Sequence, residues 1–155
     1  MAGQHLSRTS DLTFATQPPK NNSMDVQVEQ INQLKFDSAG LIPAIVQDVV
    51  NGEILMMAWM NREALEKTLS TGKIHTYSRS RGRLALKGES SGHFQHVKEV
   101  RTDCDRDAVL IKVVQDGGAC HEGYRSCFFR KHEAGAEDWK VVESKVFDPD
   151  AVYKK

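Results

Sequence analysis

Short apolar runs separated by turn residues occur along most of the chain, and the clearest two lie next to each other. β-Branched and large apolar residues fill residues 44–50 and 53–60, on either side of Asn51-Gly52. This dipeptide favours a two-residue turn whose twist matches that of paired strands. The two segments are therefore predicted to form an antiparallel β-hairpin.

After this hairpin the pattern changes to that of a short helix, REALEKTLST. Asn61 is suited to cap its first turn, and Gly72 is suited to end it in the left-handed conformation. The residues expected to share one face of this helix are Ala64, Leu65, Thr68 and Leu69. The helix is predicted to be structural.

Downstream of the helix, short segments with strand-like composition alternate with glycine turns. The segments are HTYSRS (75–80), RLALK (83–87), FQHVKEV (94–100), AVLIKVVQ (108–115), SCFFRK (126–131) and DWKVVES (138–144). Together with the hairpin and the helix, they predict an α+β fold made mainly of antiparallel β-sheet with a few short helices.

The N-terminal residues differ in composition from the rest. Residues 1–23 combine Ser, Thr, Gln and Asn with a Pro-Pro pair, so a flexible leader is predicted there and a single domain over 24–155. No apolar run approaches the length of about 20 residues needed to span a bilayer, and no secretory signal is visible. A cytoplasmic protein without membrane contact is therefore predicted.

Charge and cysteine content narrow the function further. Lys plus Arg and Asp plus Glu both number 21, so no excess positive charge favours a nucleic-acid partner. The three cysteines cannot all pair within one chain. A reducing compartment with thiols that act as ligands or nucleophiles is the favoured interpretation, and inert buried thiols are the alternative.

The cysteines have the number expected of a catalytic zinc site. Cys104, Cys120 and Cys127 contain no close CxxC pair, which argues against a zinc ribbon or finger. Three protein ligands with an open fourth position are typical of catalytic zinc, whereas a fourth ligand would make a closed structural site. His121 is the candidate for that fourth ligand, but a residue adjacent to Cys120 often points elsewhere in an extended backbone.

Asp103, Asp105 and Asp107 alternate with Cys104 and Arg106 in the stretch DCDRD. If the stretch is extended, successive aspartates lie about 6.6 Å apart on one face while the thiol points to the other. Carboxylates suit magnesium and thiolates suit zinc, so the stretch is able to contact two metal ions. The alternative is a charged loop with the arginine as an internal counterion.

Residues 77–93 combine basic, hydroxyl and glycine residues. Guanidinium groups, hydroxyls and exposed glycine backbone bind phosphate oxygens, so a phosphorylated substrate is predicted. A solvated basic hairpin is the alternative. The pattern GxxxxGK[ST] is absent, so nothing indicates hydrolysis of a nucleoside triphosphate.

Several segments, taken together, resemble the phosphoribosyl-AMP cyclohydrolases of histidine biosynthesis. They are EILMMAWMNREAL (53–65), YSRSR (77–81), KGESSG (87–92), DCDRD (103–107) and GGACHEGYRSCFF (117–129). Only about 23 residues follow His132, which indicates the monofunctional form without a second, pyrophosphohydrolase domain. Ala85 stands where the family usually has Trp, which affects local packing or substrate affinity.

The resemblance implies two metal sites and an intertwined homodimer. The implied ligands are Cys104, Cys120 and Cys127 for Zn²⁺ and Asp103, Asp105 and Asp107 for Mg²⁺. The sites would be composite and lie at the subunit interface, so the three thiolates need not come from one chain. This would account for the odd number of cysteines without a disulfide.

The implied reaction is hydrolysis of the N1–C6 bond in the adenine ring of 1-(5-phosphoribosyl)-AMP, a small phosphorylated nucleotide. Zinc would lower the pKa of a bound water towards about 7. His121 is the predicted general base, because an ordinary histidine pKa of about 6.5 suits proton transfer near neutrality. The residues predicted to bind the substrate are Arg79, Arg81, Lys87, Ser90 and Ser91.

Two other functions are weighed against this one. A zinc-dependent nucleobase deaminase would need H-x-E followed by P-C-x-x-C, and neither pattern occurs. A zinc-stabilised phosphate- or nucleic-acid-binding module would use the SRSR stretch as its contact surface. The neutral net charge, the few aromatic residues near the basic ones and the three thiols argue against it.

Overall fold

A four-stranded sheet forms the centre of the computed structural model, which describes residues 23–154. In chain order the elements are α1 (Ser23–Asn32), β1 (Leu41–Asp48), β2 (Ile54–Asn61), α2 (Arg62–Thr71), β3 (His75–Ser78), β4 (Arg83–Leu86), β5 (Gln95–Thr102), β6 (Val109–Gln115), β7 (Arg130–Lys131), β8 (Lys140–Val141) and α3 (Pro149–Tyr153). The central sheet has the order β2-β1-β6-β5, and the pairs β3-β4 and β7-β8 form two small sheets.

The predicted hairpin is present as β1 and β2, which pair antiparallel, but its turn differs from the prediction. The connection covers residues 49–53, and Gly52 has a positive φ of 77° while Asn51 does not. The carboxylate of Asp48 accepts the N–H of Val50 at 2.8 Å. This contact turns the chain before the Asn-Gly dipeptide, so the two-residue turn does not form.

Helix α2 confirms the prediction made from its two ends. Oδ1 of Asn61 accepts the N–H of Ala64 at 2.8 Å, and Gly72 ends the helix with φ 70°. The N–H of Gly72 donates to the carbonyl of Thr68 at 3.0 Å. Residues 64, 65 and 68 are buried, and Leu69 packs against the core from a partly buried position.

The sheet has one packed face and one open face. Val46 lies beside Met56 and Ile111 in the register, and all three side chains are buried in the core. Their neighbours in β1 and β2, Ile45 and Met57, lie on the opposite face and are 38% and 41% exposed. The sheet therefore leaves apolar side chains uncovered on one side.

The α+β class and the predominance of antiparallel strands are confirmed, with three departures in detail. β1 and β6 pair in parallel, which the order of strand-like segments did not indicate. The segments predicted over 126–131 and 138–144 contain only the two-residue strands β7 and β8. One reason is that the N–H of Cys127 donates to the carbonyl of Leu55 at 2.7 Å and so ties the chain to another element.

The N-terminal helix α1 was not predicted, and it begins at Ser23, the last residue of the predicted leader. Residues 1–22 of the predicted leader lie outside the residues that the structure describes. No helix within residues 23–154 combines the length and the apolar character needed to cross a bilayer.

Candidate active site

The predicted metal ligands lie near the two ends of the β5-β6 hairpin. One end has the pair Gln95 and Gln115, and the other has Thr102 and Val109. Six residue steps at the rise of a β-strand separate these ends by about 20 Å. Residues 103–107, here called the aspartate turn, join the strands at the second end, and residues 117–127, the cysteine loop, follow the first.

The aspartate turn brings its three carboxylates together. Oxygen atoms of Asp103, Asp105 and Asp107 lie within 4.8 Å of one another, and all three residues are exposed. The expectation of an extended stretch with alternating faces is wrong. Oδ1 of Asp103 accepts the N–H of Asp107 at 3.1 Å, and Arg106 has a positive φ of 64°. This bend lets the carboxylates converge.

The short distances between the carboxylates shift the pKa values of Asp103 and Asp107 in opposite directions. Hydrogen bonding to Asp105 and Asp103 raises the pKa of Asp107. Desolvation opposes the shift, but hydrogen bonds from the Asp107 side chain and from nearby backbone N–H groups together lower the pKa of Asp103. When two carboxyls share a site, the pKa of one rises while that of the other falls. A bound divalent cation would remove the repulsion between the carboxylates. Clustered oxygen donors of this kind fit a hard cation such as Mg²⁺.

The structure does not favour the alternative in which Arg106 neutralises the turn. Within residues 23–154 its side chain makes no ion pair with the three carboxylates. The carbonyl of Arg106 instead accepts the N–H of Lys35 at 2.7 Å, which fixes the turn against the segment before β1.

The cysteine loop brings two of the three thiols together. Cys120 is only 4% exposed, and Cys127 lies at the surface with a partly covered sulfur. Partial burial of this thiol, together with the neighbouring Cys120, raises the pKa of Cys127 to about 11, while the ammonium of Lys87 acts in the opposite direction. Two adjacent thiols fit a soft cation such as Zn²⁺, whose binding would replace their protons.

Cys104 does not join this pair within one chain. It belongs to the aspartate turn, at the far end of the β5-β6 hairpin, and it is exposed. A zinc–sulfur bond is about 2.3 Å long, so a separation on the order of 20 Å excludes a shared ion within one subunit.

A buried ion pair fixes the cysteine loop to the end of the sheet. Nη2 of Arg125 lies 2.5 Å from Oδ2 of Asp48, which is 2% exposed. Nη1 of the same guanidinium donates to the carbonyls of Gln115 and Gly117 at 3.0 and 2.6 Å. Burial opposes the shift, but the N–H of Val50 and the guanidinium lower the pKa of Asp48. Sequence reasoning missed this pair, because its members lie 77 residues apart.

A polar cavity of about 620 Å³ lies beside the cysteine loop. Its lining includes Arg81, Lys87, Ser90, Ser91 and His121, five of the six side chains predicted to bind substrate or transfer protons. The sixth, Arg79, does not line this cavity, and its guanidinium lies 4.8 Å from the centre of the Trp59 ring. Ala85 also contributes to the wall.

Lys87 connects the cavity to the paired thiols. Its ammonium donates to the carbonyl of Ala119 at 2.6 Å, immediately before Cys120 in the chain. The charge of the same group partly opposes the rise in the pKa of Cys127, so the ammonium lies close enough to act on both the loop and the cavity. Sequence reasoning had assigned Lys87 to phosphate alone.

An α+β fold with two adjacent thiols, three converging carboxylates and a basic cavity has the features of an enzyme that acts on a phosphorylated small molecule. The comparisons with known proteins are more specific. Residues 56–129 match the family model described as phosphoribosyl-AMP cyclohydrolase.

Three similar proteins carry that same name. The protein of Methanococcoides burtonii is 58% identical over 79% of this chain and 98% of its own length. That of Chlorobaculum parvum is 50% identical over 87% of this chain and 98% of its own. That of Nitratidesulfovibrio vulgaris strain DP4 is 58% identical over 76% and 92%. The chain belongs to the phosphoribosyl-AMP cyclohydrolase family.

Proposed function

We propose that this chain hydrolyses the N1–C6 bond in the adenine ring of 1-(5-phosphoribosyl)-AMP, a step of L-histidine biosynthesis. The product is the phosphoribosylformimino-aminoimidazole carboxamide ribotide. Family membership supports the reaction, and the observation that carries it is the cavity that holds His121 and basic side chains beside the paired thiols. Residues 24–155 form the catalytic domain in this proposal, and the free thiols suit the reducing cytoplasm.

The donor sets support a separate role for each metal. We assign Zn²⁺ to Cys120, Cys127 and Cys104, and Mg²⁺ to the carboxylates of the aspartate turn. When bound, zinc would supply Lewis-acid activation of water, and magnesium would supply positive charge near the substrate. The close thiols and the converging oxygens fit these two preferences.

His121 is the general base in this proposal. It is exposed, it lines the cavity, and it follows Cys120 directly in the chain. It takes a proton from the attacking water while the new bond from oxygen to C6 forms. The N1–C6 bond then breaks, N1 receives that proton, and the oxygen on C6 loses its second proton as the carboxamide carbonyl forms. Proton transfer of this kind contributes roughly 10² to 10⁴ in rate.

The other cavity residues bind and orient the two phosphates of the substrate. Arg81 and Lys87 offer charged donors, and Ser90 and Ser91 offer hydroxyls. Arg79 is the weakest of these assignments, because its guanidinium lies over Trp59 and not in the cavity wall.

The active site is completed by a second copy of the chain in an intertwined homodimer. The aspartate turn carries Cys104 and lies about 20 Å from the cysteine loop of its own subunit, as the strand length requires. A twofold axis across the strands would bring the turn of one subunit to the loop of the other. The exposed side chains of Ile45 and Met57, with the half-buried Leu110 beside Ile45, offer an apolar contact surface for such a partner.

Mixing two inactive variants tests both the reaction and the composite site. Asp105→Asn damages the aspartate turn, and Cys120→Ala damages the cysteine loop. After both proteins are unfolded, mixed in equal amounts and refolded with metals, half of the dimers are mixed and each holds one intact site. About a quarter of the unmodified activity should return, measured as ring opening of phosphoribosyl-AMP by ultraviolet absorbance.

Each variant refolded alone is the control and should stay inactive. If the mixture also stays inactive while size-exclusion chromatography shows mixed dimers, the composite arrangement is wrong. If the unmodified, metal-loaded protein does not open the ring, or does so equally well after chelation, the proposed reaction or its metal dependence is wrong.

A further inference from the structure

The last part of the chain folds back onto the cysteine loop. The N–H groups of Val146 and Phe147 donate to the carbonyl of Gly123 at 2.8 and 3.4 Å. Lys145 forms an isolated β-bridge with Tyr124. This C-terminal segment, residues 145–153, lies beyond residues 56–129, which match the family model.

Two glycines of the loop are shaped for this contact. A Cβ atom on Gly118 would lie 2.7 Å from the ring of Phe147, and one on Gly123 would lie 2.6 Å from the Phe147 carbonyl oxygen. Gly123 also has a positive φ of 101°. Side chains at these positions would force the segment away, so the two parts of the chain are closely fitted.

The contact continues from Phe147 to the end of helix α3. The Phe147 ring meets His93 edge-on at 4.6 Å between centres, and its centre lies 6.3 Å from that of Tyr153. Asp148 caps α3 by accepting the N–H of Asp150 at 3.0 Å. Tyr153 is therefore positioned by the packing of Phe147 and by the start of its helix.

Tyr153 lines the same cavity as His121 and Lys87, and 43% of its surface is exposed. The other lining residues are basic, acidic, hydroxyl-bearing or aliphatic, apart from the imidazole of His121. Ala85, in the same wall, presents only a methyl group. Charged and hydroxyl groups suit phosphates, whereas a purine needs a flat apolar surface, and the tyrosine ring supplies one.

We propose that Tyr153 is a substrate-binding residue whose ring stacks on the base of the nucleotide. The proposal rests on the proposed function, because it takes the ligand of the cavity to be a purine nucleotide. It assigns recognition of the base to the C-terminal helix and leaves the phosphates to the basic residues. Tyr153 is then a determinant of specificity and takes no part in proton transfer.

Two probes separate stacking on the base from a general effect on the cavity. AMP carries a purine and a phosphate, whereas ribose 5-phosphate has no base. Titration calorimetry on the zinc-loaded, full-length protein should show that Tyr153→Ala weakens AMP binding about tenfold, while Tyr153→Phe stays within about twofold. Ribose 5-phosphate should bind all three proteins equally. In turnover, Tyr153→Ala should raise KM and leave kcat nearly unchanged.

Trp139→Ala is the matched control, because Trp139 is also aromatic, 65% of its surface is exposed, and it does not line the cavity. Unchanged AMP binding by Tyr153→Ala would overturn the proposal. Equal weakening for both probes would also overturn it, since that result indicates a structural role. If the unmodified protein turns over the substrate and Tyr153→Ala does so equally well, only the proposed stacking is refuted. The proposed function then stands.

Discussion

The cysteine loop and the aspartate turn hold their side chains in different ways. The loop is tied to distant parts of the fold through Arg125 with Asp48, through Lys87 and through the C-terminal segment. The turn is held mainly by local contacts, in which Asp103 accepts two backbone N–H groups, and by one bond to another segment, from the N–H of Lys35 to the carbonyl of Arg106. One cluster is positioned by tertiary packing and the other by local geometry.

Because the two clusters are held in different ways, mutations in the loop and mutations in the turn should have different effects. Changes that disturb the loop should affect folding as well as metal binding, because its supports join it to distant parts of the fold. Changes at Asp105 or Asp107 should affect ion and substrate binding alone, since both residues are exposed and the backbone contacts of the turn are made by Asp103. The predictions below test that separation.

The largest effect is expected from Cys120→Ala. Removal of one of two adjacent thiols should abolish stoichiometric zinc binding and reduce turnover to below about one per cent, because water activation is lost. Elemental analysis and the ring-opening assay measure the two quantities.

Asp105→Asn is the matched comparison from the other cluster. It should remove activity and magnesium binding while the zinc content stays at the unmodified level. Normal zinc binding and turnover by Cys120→Ala would refute the assignment of the loop, and zinc loss in Asp105→Asn would refute the separation of the two clusters.

A smaller effect on turnover is expected from His121→Ala. Loss of the general base should lower kcat by about 10² to 10⁴ while zinc content stays unchanged. His132→Ala is the control, because His132 is also exposed and its ring interacts with the carbonyl of Ala136 at 3.2 Å. Parallel loss of zinc and turnover would instead identify His121 as a metal ligand.

The third prediction concerns stability. Asp48→Asn leaves the partly exposed Arg125 guanidinium without its carboxylate partner, and loss of a hydrogen bond between charged groups costs about 1.5–3 kcal/mol of unfolding free energy. Because the folded protein lowers the pKa of Asp48 below its ordinary value of 3.8, this contribution is present above that pH and is lost as the pH falls below it. Urea denaturation at pH 7 and at pH 3 measures the difference.

The variant should therefore be less stable than the unmodified protein at pH 7, and the gap should narrow at pH 3. Glu137→Gln, a change at an exposed carboxylate, serves as the control and should leave stability within about 0.5 kcal/mol. A gap that is equal at both pH values would show that the charge of Asp48 does not stabilise the fold.

Local signals predicted the local structure well. The ends of α2 were found from Asn61 and Gly72 because a cap is a contact over three or four residues. The β1-β2 pairing followed from neighbouring apolar runs. The parallel pairing of β1 with β6 joins residues more than 60 positions apart, such as Ala44 and Val109, and no local pattern encodes it.

The candidate site, too, was predicted where the signal is local and missed where it depends on the folded structure. Residue chemistry identified the side chains that gather in the cavity, and the positions of Arg81, Lys87 and His121 agree with that choice. The bend of the aspartate turn was missed, because the alternation rule assumes an extended backbone and Arg106 leaves it. The roles of Asp48 and Tyr153 depend on tertiary packing, which a single sequence does not display.

Lys87 contacts the cysteine loop and also lines the cavity, so it connects the zinc site and the phosphate site of the proposal. Its ammonium favours the Cys127 thiolate and also faces the cavity, so a bound phosphate would compete for the same charge. If zinc and phosphate bind as proposed, their affinities should therefore be coupled through Lys87. Thermodynamic linkage makes such coupling reciprocal, so each ligand would change the affinity of the other by the same factor.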